Sequence, residues 1–202
     1  MPKKIKPKGI MLSDRKKNVR ELRKKFIIVC EGERTEPNYF RQFRVPKEVI
    51  DIIGVGANTV VVVQRAIEEK QKYPSAEVWS VFDRDSFPAQ NFNNALALAK
   101  QHGIKVGYSN EAFEIWYLLH FHYHDVATSR DLYETMLSDK KRLGFKYRKN
   151  DPNMYHILEN KQNEAIRNAE RLLQLCLPHN PERDNPCTTI HHLVQALNEV
   201  AV

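Results

Sequence analysis

Two groups of acidic residues stand where short apolar runs end. Phe26-Ile27-Ile28-Val29-Cys30 leads into Glu31-Gly32-Glu33-Arg34-Thr35-Glu36, and Val78-Trp79-Ser80-Val81-Phe82 leads into Asp83-Arg84-Asp85. Runs of this length, rich in β-branched and aromatic residues, read as buried strands. In an open α/β sheet, ligands bind beyond the carboxyl ends of the strands, which brings Glu31 and the Asp83/Asp85 pair to one crevice. Carboxylates crowded together repel unless a divalent cation lies between them, and hard oxygen donors suit Mg²⁺ or Mn²⁺. The chemistry such a group supports is metal-dependent attack on a phosphate ester.

Each residue has a role set by its type and place. Asp83 and Asp85 are two apart, so on an extended chain their side chains share one side and hold one cation together or one each. The competing reading is an Asx turn leaving the strand. Glu31 ends a strand, where burial raises its pKa and nearby cations lower it, a balance suited to a general acid or base. Gly32 lets a phosphate or metal approach the backbone closely. Glu36 falls in a first helical turn, as a further ligand or as a carboxylate placed for the helix dipole. Ser109-Asn110-Glu111-Ala112-Phe113-Glu114 opens a helix after a fourth strand, with Ser109 or Asn110 as cap and Glu114 as a further metal ligand. Phe113, Trp116 and Tyr117 read as core. His120, His122 and His124 diverge at a helix end, and with His191-His192 they make poor ligand sets.

The elements that must position these groups alternate. Strands are expected over 26–31, 49–55, 77–82 and 104–108, with helices over 35–44, 58–73, 88–102 and 111–121. Pro37 fits a first helical turn, and Asn58 or Thr59 serves as a cap. This alternation argues a mainly parallel four-stranded sheet with right-handed crossovers. Beyond residue 125 only helices are expected, at 129–142, 160–176 and 188–200. The resulting division is a basic flexible arm (1–25), an α/β catalytic core (26–125) and a helical C-terminal region packing on it (126–202).

The net charge is +7, and its distribution says more than its total. Residues 1–25 hold eleven Lys or Arg against Asp14 and Glu21, while the remainder is slightly acidic. A basic arm of this kind commonly contacts nucleic acid phosphates, the alternative being a solvated leader. A second block contains Lys140, Lys141, Arg142, Lys146, Arg148 and Lys149 with Phe145 and Tyr147 interleaved. That mixture suits a phosphate backbone with stacked bases, or a plain helix end and loop. Cys30, Cys176 and Cys187 form no C-x-x-C pair, which argues against a disulfide framework or structural zinc and for a reducing cytoplasm. No apolar stretch approaches the roughly 20 residues needed to cross a bilayer, and no secretory signal opens the chain.

Taken together, Cys30 to Phe40, Val81-Phe82-Asp83-Arg84-Asp85, the block from Ser109 to His120 and Asn185-Pro186-Cys187-Thr188-Thr189 resemble the signatures of RloB-like proteins. Glu111 stands where that family usually has proline. The resemblance implies a Toprim-like fold, the glutamate-plus-D-x-D scaffold of topoisomerases, primases and OLD-type nucleases. It further implies Glu31 as general acid or base, Asp83 and Asp85 as Mg²⁺ ligands, and Glu36 or Glu114 assisting. RloB-like proteins accompany bacterial restriction and abortive-infection loci, often beside an ATPase. The expected function is therefore a metal-dependent nuclease of antiphage defence, cutting RNA (tRNA among the candidates) or DNA. The chain lacks room for topoisomerase gates and lacks a primase zinc module, while a phosphatase would place its acidic pair after the first strand. The alternative is a non-catalytic nucleic-acid-binding module of a defence complex.

Overall fold

A computed structural model of the protein describes residues 25–85 and 88–201. The basic arm thus lies outside the described residues, except for Lys25, whose ammonium group pairs with Asp51 at 2.6 Å and stacks over Tyr73.

Every residue of β1 (Phe26–Cys30) is buried, because helices cover both faces of the sheet it runs through. Alternate side chains go to opposite faces. Ile27 and Val29 join Val62, Ala66, Phe92 and Ala95, whereas Phe26, Ile28 and Cys30 join Tyr39, Phe40, Phe113 and Trp116. β2 (Ile50–Gly54), β3 (Glu77–Asp83) and β4 (Lys105–Asn110) run parallel to β1 in the order β2-β1-β3-β4. On one face lie α2 (Thr59–Lys72) and α3 (Ala89–Gln101). The other carries α1 (Thr35–Phe40), α4 (Glu114–Leu119), α5 (Arg130–Leu137), α6 (Met154–Leu158), α7 (Gln162–Leu175) and α8 (Ile190–Asn198). Residues from Phe26 to Leu197 share that second core. Among the described residues no helix is long and apolar enough to cross a membrane.

The sheet has five strands, not the four that hydrophobic patterning predicts. β5 (Cys187–Thr188) pairs antiparallel with β4 at the sheet edge. Two residues are too few to show a period, and long-range hydroxyl bonds hold them instead. Ser109 Oγ lies 3.0 Å from Thr188 Oγ1, and the Tyr108 N–H donates to Thr189 Oγ1 at 3.0 Å. The same bonds correct the expected helix cap. Ser109 and Asn110 belong to β4, and α4 begins only at Glu114. Helix α5 stops at Leu137 rather than 142, so the basic block forms turns and a loop, and α6 was not foreseen. α1 also ends early, at Phe40.

What fixes α1 is aromatic packing. The Tyr39 ring meets those of Phe40, Phe43, Phe113, Tyr117 and Tyr155 at centroid distances of 5.4–5.8 Å. Each such pair adds about 0.5–1.5 kcal/mol beyond the area it buries. The helix that bears Glu36 is therefore held from its buried side. α2 is anchored differently. Asn58 Oδ1 accepts the Val61 N–H at 3.2 Å, the cap that its sequence predicts.

Candidate active site

Register brings the two acidic motifs together. Cys30 pairs with Val81, so Glu31 emerges beside Phe82 and Asp83 at the carboxyl end of the sheet. The Glu31 carboxylate accepts the Asp83 backbone N–H at 3.0 Å and the Thr59 hydroxyl at 3.3 Å. Both bonds favour the ionised form, and burial outweighs them, raising the Glu31 pKa from its ordinary value. Thr59 opens the fourteen-residue α2, whose positive N-terminal end thereby faces this carboxylate.

Glu36 lies deeper. It is 6% exposed, and its Oε2 has no hydrogen-bond partner. Burial, reinforced by the charges of Glu114 and Glu31, pushes its carboxyl up from 4.5 to about 7, with Lys149 acting in the other direction. A carboxylate serving only the helix dipole is ordinarily solvated, and the Glu36 carboxyl is not. Asp83, its side chain 14% exposed, is likewise held well above the carboxylate range by burial first and then by Glu36 and Glu114. Arg130 opposes that shift and donates to Asp83 Oδ2 at 3.3 Å.

These groups open on a cleft of about 740 Å³, lined by the acidic Glu31, Glu33, Glu36, Asp83 and Asp85 and the basic Arg34, Arg130 and Lys149. Its floor is backbone. A Cβ on Gly32 would lie 2.2 Å from Glu36 Oε2, and one on Gly54 would lie 2.8 Å from the Glu33 Cα. Glycine at 32 and 54 thus lets the post-β1 loop lie flat against Glu36 and the end of β2. Glu114 is 2% exposed and does not line the cleft. It accepts the Tyr147 hydroxyl at 3.0 Å and acts on the cleft through its charge.

The donor set suits a hard divalent cation. Burial and neighbouring carboxylates push the Glu36 and Asp83 pKa values up, one carboxyl oxygen is buried without a partner, and backbone approaches it closely. Glu31, Glu36, Asp83 and Asp85 are the residues that would hold it. Among the described residues no three such groups are drawn in tightly enough to close a coordination shell by themselves. Water and substrate oxygens would complete it, as Mg²⁺ usually requires.

The other sequence candidates separate. In the basic block Lys140, Lys141, Lys146 and Arg148 are exposed, and Lys149 reaches the cleft. Arg142 turns inward, donating to the Met136 carbonyl at 2.8 Å and to His122 Nδ1 at 3.4 Å. Tyr147 is buried, which leaves Phe145 as the exposed aromatic of that block. His120 and His191 are buried, and burial pushes their pKa values down to about 4 and about 3. Phe113, Trp116 and Tyr117 are core, as their pattern predicts. Sequence reasoning missed Arg130, Thr59 and Asn150. Their partners lie 28 to 115 residues away along the chain, and no local pattern announces such pairs.

One family model, described as RloB-like protein, matches residues 26–197. No curated protein and no solved structure matches the chain.

Proposed function

The chain belongs to the RloB-like protein family, and from that premise together with the cleft we propose a Toprim-like, divalent-cation-dependent nuclease that hydrolyses phosphodiester bonds in RNA or DNA. One observation carries the reading. Glu31, Asp83 and Asp85 at the ends of adjacent strands β1 and β3 and Glu36 from the first turn of α1 line one open cleft, with a buried Glu36 oxygen unpartnered. Mg²⁺ or Mn²⁺ bound there would polarise the phosphate and acidify a water. Glu31, oriented by the Thr59 hydroxyl and the Asp83 N–H, takes the proton of the attacking water. Arg130 presents positive charge at the cleft where the phosphorane gains negative charge. By family resemblance the proposal extends to antiphage defence, with abortive infection as the outcome and an ATPase as partner.

A binding-only reading has one observation in its favour, the exposed cations at 140, 141, 146 and 148 outside the acidic cleft. Cleavage of end-labelled total tRNA and duplex DNA, with Mg²⁺ or Mn²⁺, separates the two. The nuclease reading expects wild type to cut and Asp83→Ala to bind without cutting. Equal cutting by both proteins would refute it. Silence of both, persisting with the partner ATPase present, would favour binding alone.

A further inference from the structure

The basic loop at 144–150 is fastened beside the acidic cleft at two points, to the buried Glu114 and to α1, and nothing in the catalytic chemistry requires that. At one point the buried Tyr147 donates its hydroxyl to Glu114 at 3.0 Å, while its own N–H is taken by Ser138 Oγ at 2.9 Å. Glu114 in turn is one of the charges acting on Glu36 and Asp83. At the other point Asn150 is pinned to α1. Thr35 donates its hydroxyl to Asn150 Oδ1 at 2.6 Å, and Asn38 Nδ2 donates to the Asn150 carbonyl at 3.2 Å. Asn150 has φ 69°, the left-handed region, where asparagine is tolerated better than most residues.

Lys149 lies between these two anchors. It lines the cleft, its charge lowers the Glu36 pKa, and among the described residues its side chain makes no hydrogen bond or ion pair. The cleft's other basic lining residues are Arg130, engaged with Asp83, and the exposed Arg34. A lysine set between two anchored residues, lining the cleft without a salt-bridge partner, is placed for an anion that arrives from outside. We propose that Lys149 is a phosphate-binding residue of this site. It seats a backbone phosphate of a nucleic acid strand in the cleft that Arg130 also lines, and Asn150 and Tyr147 are the residues that position it. This deepens the nuclease reading and rests on it. It also divides the basic block by role, because Lys140 and Lys146, exposed and outside the cleft, supply only diffuse attraction.

The test is binding of a fluorescein-labelled single-stranded oligonucleotide, RNA and DNA in turn, by the full chain in Ca²⁺, followed by cleavage kinetics in Mg²⁺ or Mn²⁺. Lys149→Ala should bind about tenfold more weakly, with the slope of log K against log salt shallower by about one. Lys149→Arg should recover most of the affinity. The double variant Lys140→Ala/Lys146→Ala should lose only about twofold at the same salt. Asn150→Gly keeps the backbone conformation and removes the Thr35 bond, so it should raise KM with little change in kcat, a split that general loss of folding would not give. Lys149→Ala binding and cutting like wild type would overturn the proposal and leave the nuclease reading intact. Asp83→Ala cutting like wild type would overturn the nuclease reading instead. If Lys149→Ala and the Lys140/Lys146 variant weaken binding equally, the loop is diffuse attraction throughout and Lys149 has no special seat.

Discussion

The two ends of one sheet treat buried carboxylates in opposite ways. At the amino end, Glu77 opens β3 and is 8% exposed, and its Oε1 accepts the Trp79 indole N–H at 2.9 Å and the Lys105 ammonium at 2.8 Å. At the carboxyl end burial raises the pKa values of Glu31, Glu36 and Asp83. Glu31 adds to the rise at Glu36 and Asp83, Glu36 adds to that at Asp83, and Glu114 adds its charge to both. Arg130 is the side chain that pairs with Asp83 there, and Glu36 Oε2 has no donor. Glu77 is matched by a donor and a cation, whereas burial and crowding favour the protonated forms of Glu36 and Asp83. The cation proposed for the cleft is what would relieve that crowding.

The largest expected effect breaks this contrast at its centre. Asp83→Ala should lower cleavage by about 10³-fold or more, the scale of losing a principal electrostatic group, whereas Glu77→Gln should leave the rate per folded molecule unchanged. Chemical denaturation of Glu77→Gln should instead show a loss of about 1–2 kcal/mol, since one charged hydrogen-bond partner is weakened. Next comes Gly32→Ala. Its Cβ would sit 2.2 Å from Glu36 Oε2, so that carboxyl must move. A shift of this kind should cost about 100-fold in kcat/KM, and the melting temperature tells misplacement from unfolding.

A smaller effect concerns pH. The Glu36 carboxyl titrates near 7 in the folded protein against an ordinary 4.5. Between those values the folded state holds more protons than the unfolded chain, so stability falls as pH rises. The contribution is complete below 4.5 and gone above about 7. In chelator the melting temperature of wild type relative to Glu36→Gln should therefore fall by about 5 °C across that window. Mn²⁺ should abolish this difference in pH dependence. His120 and His191 act in the other direction. Their lowered values mean that stability is lost as pH falls below 6.5 toward 4, a slope that remains in Glu36→Gln. Both histidines are enclosed, which is why burial alone does not mark a residue as functional.

Patterning made the four parallel strands and the meeting of Glu31 with Asp83 legible, because β-branched runs and strand-end acids are local signals. Asn58 capping α2 was equally local. The expected cap at Ser109 was misleading, since its hydroxyl serves a tertiary contact with Thr188 instead. β5, Arg130 and the Thr35–Asn150 bond depend on pairings across 47 to 115 residues. Spacing along a chain does not encode those. The basic block shows the same limit, for composition identified its charge but not that Lys149 alone of its cations would line the cleft and Arg142 would fold inward.

The most direct measurement is calorimetric titration of the chelator-stripped protein with Mn²⁺, comparing wild type, Asp83→Asn, Glu36→Gln and Glu77→Gln. It needs no partner, no substrate and no activating signal. Saturable binding by wild type and Glu77→Gln, lost or weakened by about tenfold or more in the other two, is the result predicted. Binding that is absent from wild type, or undiminished in Asp83→Asn, would contradict a metal centre at the carboxyl end of the sheet.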